Sequence, residues 1–579
     1  MLPLNRLWLI NCIVYSAVIA WYLTNNVKCE KKEKVGKKKK VKYKWLEELE
    51  KEISQKRKLL SQCVAEIDRL QNRKRITKKT KKNREKFTEL IGEISVYSLT
   101  KFSCKLKAEI RRKGKTRKKK LRNQEARDLN EMFKSNQSQV FRKFRNIIDQ
   151  DKECETPVYK EIESERKFFR NEDVVISFWK SLWCKEDQGD PDTEWLKKYE
   201  KLFEKEIPVV NNENIVLASN VTRDGIKKKR NWSAPGPDLL VNFWWKRVTV
   251  VHAKVEETFL DIVNSECGLE ARLCRGRTSL LEKPGEWAHD NTRPITCTNT
   301  LYKWFTTVLQ HIFNIHGKEN EILQMDQRGA KEKCSGTHEN LLIDIMVLKD
   351  ARDNLRNLAC CWVDVRKAYD SLSHSWTLKM LKIHRFPRKL QQIVGEIMKN
   401  WNTVLVVPRE NDDFISDPIP ITNGVFQGDV LSGDLFKLAL NPISWELRRH
   451  EGYKLSKPIS KKITHTFFMD DLKCYINTLN KMINLMSDTK GKMSDAGLDW
   501  NAKKCNVINI VRGLLDVSTE EVVLNDGTIV KCLKSEDLYK FLGIPENVEH
   551  DIDDIVKNSK TSVRQRTNVI STSPLSDYN

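Results

Sequence analysis

The sequence lacks the cysteine pattern of a metal-ribbon or a secreted protein. Its 15 cysteines include no Cys-x-x-Cys pair, and only Cys360-Cys361 are adjacent, so neither a zinc ribbon nor a disulfide framework is indicated. Reduced thiols in a nuclear or cytoplasmic protein are the simpler reading. Long apolar runs are scarce too. The one from Leu7 to Leu23 covers 17 residues, is broken by Asn11 and Ser16, and lies at the short edge for a bilayer span. A signal anchor stays open for residues 1–27, but a packed helix is favoured and a membrane is not the expected partner. Acid is in deficit: 79 Asp and Glu face 104 Lys and Arg, a net charge of +25 that calls for a polyanionic partner. No internal repeat recurs, and no Ser, Cys or His is arranged as a nucleophile.

With 579 residues, the chain has room for about three or four domains. Residues 28–125 are dominated by basic clusters, among them Lys37 to Lys40, Lys78 to Lys82 and Arg111 to Lys120. Within them Leu46, Leu49, Ile53, Leu60, Val64, Ile67 and Leu70 recur at steps of three, four and seven, predicting a long amphipathic, coiled-coil-like helix. That stripe packs on a helical partner or holds a basic face against phosphates; the spacing fits both. Residues 126–225 read as a helical extension carrying Trp179, Trp183 and Trp195, with no chemistry evident. A basic stretch from Arg223 to Arg230 then meets Asn-Trp-Ser-Ala-Pro-Gly-Pro-Asp at 231 to 238, a rigid turn.

Two later segments carry carboxylates in settings suited to hard cations. Cys-Cys-Trp-Val-Asp-Val-Arg-Lys-Ala-Tyr-Asp, 360 to 370, is an apolar strand that delivers Asp364 at its end. Alone, Asp364 is equally well read as a cap of the next helix. Ile463 to Ile476 reads as a hairpin with Asp470 and Asp471 at its tip. Adjacent carboxylates repel unless a divalent ion neutralises them, although an ordinary Asp-rich turn has the same pattern. Together the three form a candidate two-metal site for in-line nucleotidyl transfer, with magnesium as cofactor.

The ordered motifs around these acids, over residues 226 to 545, resemble reverse transcriptases of non-LTR retrotransposons. The likeness is carried by Arg-Asn-Trp-Ser-Ala-Pro-Gly-Pro-Asp at 230 to 238, Leu-Glu-Lys-Pro-Gly at 281 to 285, Arg-Pro-Ile-Thr at 293 to 296 and Gln-Arg-Gly at 327 to 329. Further on come Ser335 to Asp344, the Asp364 strand, Phe-Gln-Gly-Asp-Val-Leu-Ser-Gly-Asp at 426 to 434, Gly497-Leu498 with Asn501 and Lys504, and Tyr539 to Gly543.

The resemblance implies an α+β right-hand polymerase: a palm on an antiparallel sheet, helical fingers and a basic helical extension. It implies RNA-directed DNA synthesis on template RNA from a DNA primer, using deoxynucleoside triphosphates and two magnesium ions. Asp364, Asp470, Asp471 and the Val365 carbonyl would hold metal. Arg277, Lys283 and Arg293 would face triphosphate or template, Tyr369 would sit under the incoming sugar, and Gln427 and Gly428 would approach template and nucleotide. Lys504 would assist proton transfer to pyrophosphate, Thr337 would cap its helix, and Tyr539 to Gly543 would form a primer grip. Gly433-Asp434 departs from the family, which places a proline after the serine, and sets an extra acid near a phosphate-binding surface. Residues 546–579 are expected to begin an incomplete thumb, without an endonuclease domain. That shortness and Asp434 motivate an alternative, a weakened remnant that only binds RNA or DNA.

Overall fold

The structure, a computed structural model, describes residues 3–24, 43–135 and 168–547, apart from 73–74, 76–77, 209–214, 216–218, 265–268, 284–285, 332–333, 411, 457–461 and 536. The Lys37 to Lys40 cluster, residues 136–167 of the extension and the expected thumb beyond 547 lie outside the described residues. Two compact units divide the chain, Met1–Lys28 with Ile162–Asp551 and Cys29–Glu161 with Ile552–Asn579.

In the second unit, helices α2 (Lys44–Gln71), α3 (Lys78–Ile91) and α4 (Val96–Ser135) follow the predicted helical pattern. Ion pairs set α2 and α4 antiparallel, because Glu50, Glu52 and Lys56 meet Arg117, Lys113 and Glu109 in reverse order. Cys63, Phe87 and Leu99 form the core between the helices, with Leu59, Ile67 and Leu70 packed against it. The stripe therefore finds its partner within the chain. Val64 is an exception, 47% exposed, because the buried face centres on Cys63 and Leu70 and Val64 points about 100° away at 100° per residue.

In the first unit, α1 (Pro3–Thr24) buries Leu7, Ile10, Val14 and Val18 and is tied to the helix His252–Asn264 by an Arg6–Asp261 ion pair of 3.3 Å. Among the described residues no helix is long and apolar enough to cross a membrane.

Two sheets position the site. The first runs β2 (Thr292–Thr298), β1 (Arg275–Glu282), β4 (Asn402–Pro408), β5 (Asp413–Ile415), with β6 (Ile419–Pro420) also on β4. The expected helical fingers are thus carried on strands here. The cause is visible in Thr278, Thr296 and Thr403, whose hydroxyls bond one another at 2.7–2.8 Å in the buried layer where β1 meets β2 and β4. A two-stranded ladder, β7 (Tyr453–Lys454) with β8 (Lys462–Ile463), precedes the second half of the palm.

The palm sheet centres on β3 (Leu358–Val363), all six residues of which are buried. Its flanks are β9 (His465–Phe468) and β10 (Asp471–Ile476) on one side and β11 (Asn506–Val511) on the other, with β12 (Leu514–Leu515), β13 (Glu521–Val523) and β14 (Ile529–Cys532) beyond. A strand covered on both faces reads as continuous apolar sequence, as Leu-Ala-Cys-Cys-Trp-Val does. Ala359, Cys361 and Val363 join the main core, and Leu358, Cys360 and Trp362 a second one with Tyr475 and Phe541. The sheet is antiparallel at its centre as expected. It departs at its edge, where β14 pairs β13 antiparallel and so returns parallel to β11. A hairpin, β15 (Leu538–Phe541) and β16 (Ile544–Asn547), turns through Leu542 and Gly543, both at positive φ.

Thr337 is not a cap. The helix Gly336–Asp353 begins at Gly336, which is pressed so close to the Arg328 carbonyl that a Cβ would stand 2.2 Å from its oxygen, and Thr337 already lies in the first turn.

Candidate active site

Asp364 follows directly on β3, and Asp470 and Asp471 lie where β9 turns into β10. Phe468 pairs with Asp471, so the turn is Met469-Asp470, and Met469 takes a left-handed backbone at φ 56 that non-glycine residues adopt at a cost. Gln327 supports that turn. Its side-chain oxygen accepts the Met469 N–H at 2.9 Å and the Gly329 N–H at 2.9 Å, and its amide donates to the Met469 carbonyl at 3.0 Å. Gly329 packs so tightly beneath that a Cβ would stand 2.4 Å from the Met469 nitrogen.

Beyond β3, Asn501 N–H donates to the Asp364 carbonyl and Arg366 N–H to the Asp499 carbonyl, both at 2.8 Å. These bonds flank the Val365–Trp500 bridge and leave the Val365 carbonyl out of it.

The three carboxylates share a field. Burial raises Asp470, with the charge of Asp364 adding to the rise and Arg293 and Lys283 opposing it. Asp471 is accessible but sits on a floor crowded by protein, and lost hydration together with Asp470 and Asp364 raises it to about 7. A carboxylate group held this way accepts a hard cation readily, since oxygen donors and excess negative charge are what such an ion requires. Among the described residues, no three His, Cys, Asp or Glu side chains already stand at ligand spacing. Charges that repel one another are expected to stand apart until a cation lies between them.

Basic groups ring the acids. Burial depresses Lys283, helped by Lys504 and Arg293, and Lys283 also feels Asp364. Arg277 and Arg293 share one face of the β1–β2 hairpin, opposite Cys297 and Leu281 in register. Arg277 interacts with none of the three acids among the described residues, and its Nε is buried without a hydrogen-bond partner. Tyr369 stacks flat on Phe436, centroids 4.8 Å apart at 7°, and burial, then Asp470 and Asp434, raises its hydroxyl.

Gly428 takes φ +123, and a Cβ there would lie 2.6 Å from the Thr296 carbonyl oxygen, while Thr296 N–H donates to the Gln427 carbonyl at 2.8 Å. Only glycine fits this approach without strain. Gly428→Ala is expected to lower folding stability by about 1–3 kcal/mol, the strain of a side chain forced into that backbone; an unchanged urea midpoint would show that the approach tolerates a side chain.

Asp434, the departure from the family, is paired within its own helix. The side chain is buried, paired with Lys437 at 2.7 Å and bonded by the Gln310 amide at 2.7 Å, so its charge is met inside the helix Ser432–Arg449 rather than added to the phosphate surface.

Sequence reasoning missed Asp370, Lys367 and Trp183. Trp183 ends the helix Glu172–Trp183 in the extension, where no chemistry was expected, and its indole N–H donates to Asp370 Oδ1 at 2.9 Å. The Gln427 amide reaches Asp370 Oδ2 at 3.4 Å. Lys367, left-handed at φ 46, lies over Trp179 at 4.4 Å, and burial, then Lys283, depresses it to about 8. Burial also pushes Asp370 up to about 6. A carboxyl with a raised native pKa contributes stability below about 4 that is lost as pH rises through about 6. Asp370→Asn keeps an acceptor for Trp183 but cannot ionise. In urea titrations its stability relative to the parent should therefore improve between pH 4 and pH 7, on the order of 3 kcal/mol, and a difference independent of pH would contradict the assignment.

Residues 281–545 match the reverse transcriptase (RNA-dependent DNA polymerase) family. The chain is 24% identical over 320 residues, 54% of its length, to the Retrovirus-related Pol polyprotein from type-1 retrotransposable element R2 of Nasonia vitripennis, of which 30% is covered. It is 27% identical over 257 residues, 44% of its length, to the Retrovirus-related Pol polyprotein from type-2 retrotransposable element R2DM of Drosophila melanogaster, of which 23% is covered. The aligned part thus spans less than a third of either relative. Among solved structures, truncated apo telomerase from Candida Tropicalis superposes with a TM-score of 0.32 at 12% identity, over 48% of this chain and 55% of that one; a likeness so loose carries no argument.

Proposed function

We propose that this chain, whose residues 281–545 form a reverse transcriptase domain related to those of non-LTR retrotransposons, is an RNA-directed DNA polymerase that copies RNA from a DNA primer. The observation that carries this reading is the β3–β10 register, which pairs Val363 with Leu472 and so sets Asp364 beside the Asp470-Asp471 turn. Reverse transcriptases use divalent metal ions, and oxygen donors of this kind suit magnesium. Bound by the three aspartates and the Val365 carbonyl, two such ions would supply activation of the primer hydroxyl and charge neutralisation on the leaving pyrophosphate.

The protein's own residues then bind and orient. Lys283 and Arg293, close enough to Asp470 to lower it, are the cations nearest an incoming triphosphate, with Lys504 beside Lys283 and placed to protonate pyrophosphate. Arg277, further along the hairpin face, serves the template strand. Gln427, steadied by Asp370, and Gly428 meet template and nucleotide. Residues 226–545 would form fingers and palm.

Tyr369 carries the choice of sugar. Clamped flat on Phe436, the ring cannot swing aside for a 2′-hydroxyl. With primed RNA, the parent should extend with deoxynucleotides and reject ribonucleotides, and Tyr369→Ala should narrow that discrimination at least about tenfold. Equal discrimination by both would remove Tyr369 from this role.

A further inference from the structure

We propose that Trp232 is a stacking platform for an unpaired base of single-stranded RNA, a site apart from the carboxylates that rests on the nucleic-acid reading above. The segment that carries it is fixed. The Asn242 amide donates to the Arg230 carbonyl at 2.7 Å, Phe243 N–H to the Asn231 carbonyl at 3.1 Å, and the Lys246 ammonium to the Lys229 carbonyl at 2.5 Å. At the far end of the turn, Gly236 is held so tightly that a Cβ would stand 2.4 Å from the Asn299 nitrogen. Both ends of the turn are thereby anchored, one on the helix Asn242–Arg247 and one on Asn299.

From this anchored turn Trp232 emerges 70% exposed. Phe243 backs it in parallel, centroids 4.9 Å apart at 14°, and the Phe243 ring in turn carries the Arg247 guanidinium at 5.5 Å. A flat aromatic face on a rigid support is open to stacking, and a ring already fixed loses little freedom when a ligand stacks on it. The flat shape fits a nucleobase, every one of which has a π face.

Charge complementarity selects the ligand class. Lys227, Lys228 and Arg230, immediately before the ring, are exposed, and among the described residues Lys228 and Arg230 have no carboxylate partner. A phosphate backbone running along that stretch would bring successive bases past Trp232. Duplex RNA keeps its bases stacked on one another and offers none, so the platform distinguishes single strands from duplexes.

The test uses the full chain with single-stranded RNA of about 12 nucleotides, a length within the range such sites cover, and duplex RNA of the same length. Trp232→Ala should weaken single-strand binding about tenfold or more, leave duplex binding unchanged, and leave the slope of log Kd against log salt as in the parent, because no phosphate contact is lost. Trp232→Phe should retain most of the affinity, and 5-bromouridine RNA should crosslink to Trp232 in the parent. Trp232→Ala binding single strands as the parent does would overturn the platform alone, as would an equal loss for both RNAs. A parent chain that binds RNA with no salt dependence would overturn the polymerase reading with it.

Discussion

Asp470→Ala is expected to cut primer extension by at least about three orders of magnitude, while salt-sensitive RNA binding persists. The asymmetry follows from where the charge sits. Burial, and after it the charge of the neighbouring acids, raises both Asp470 and Asp471, so removing Asp470 is expected to cost little stability. What would be lost is a ligand for the proposed cation. The turn survives the change, because Gln327 holds Met469 through backbone atoms that the substitution leaves in place. Extension by Asp470→Ala at more than a tenth of the parent rate would remove this residue from the site.

Lys473→Met lowers folding stability by about 3–5 kcal/mol, the range for breaking one side of a buried ion pair. Lys473 is fully buried on β10, two residues beyond Asp471, with Asp344 at 2.5 Å, Glu546 at 3.3 Å and the Trp362 and Phe541 rings at 4.1 and 5.1 Å. It ties the helix Gly336–Asp353 and the β15–β16 hairpin to the strand that carries the catalytic turn. Methionine keeps the volume and removes the charge that Asp344 and Glu546 meet in the core. The hairpin matters because Tyr539 packs against Trp362, centroids 4.9 Å apart and tilted by 30°, and lies within reach of the charges of Asp364 and Asp471. A destabilisation below about 1 kcal/mol in urea would show that the aromatic box alone holds the hairpin.

The parts of the site legible in the sequence are those written locally. The apolar strand ending at Asp364 and the β-prone runs meeting at Asp470-Asp471 each declare themselves within about a dozen residues. Alone they were no better than a cap and a turn; the order of motifs around Gln427-Gly428 made them a site. Long-range bonds were not legible. Trp183 and Asp370 are 187 positions apart, Gln327 and Met469 are 142 apart, and no periodicity links either pair. The strands of the fingers were hidden for the same reason, since β1 lies parallel to β4 across more than a hundred residues.

The pairing of Asp434 was legible locally. Lys437 lies three positions on, the spacing at which opposite charges meet on a helix.

Turnover at the three aspartates is tested most directly by extension of a DNA primer annealed to RNA by the purified chain, with deoxynucleotides and magnesium. Templated extension that stops when the metal is chelated is the expected result. Salt-sensitive RNA binding with no extension would contradict it and leave a nucleic-acid-binding remnant.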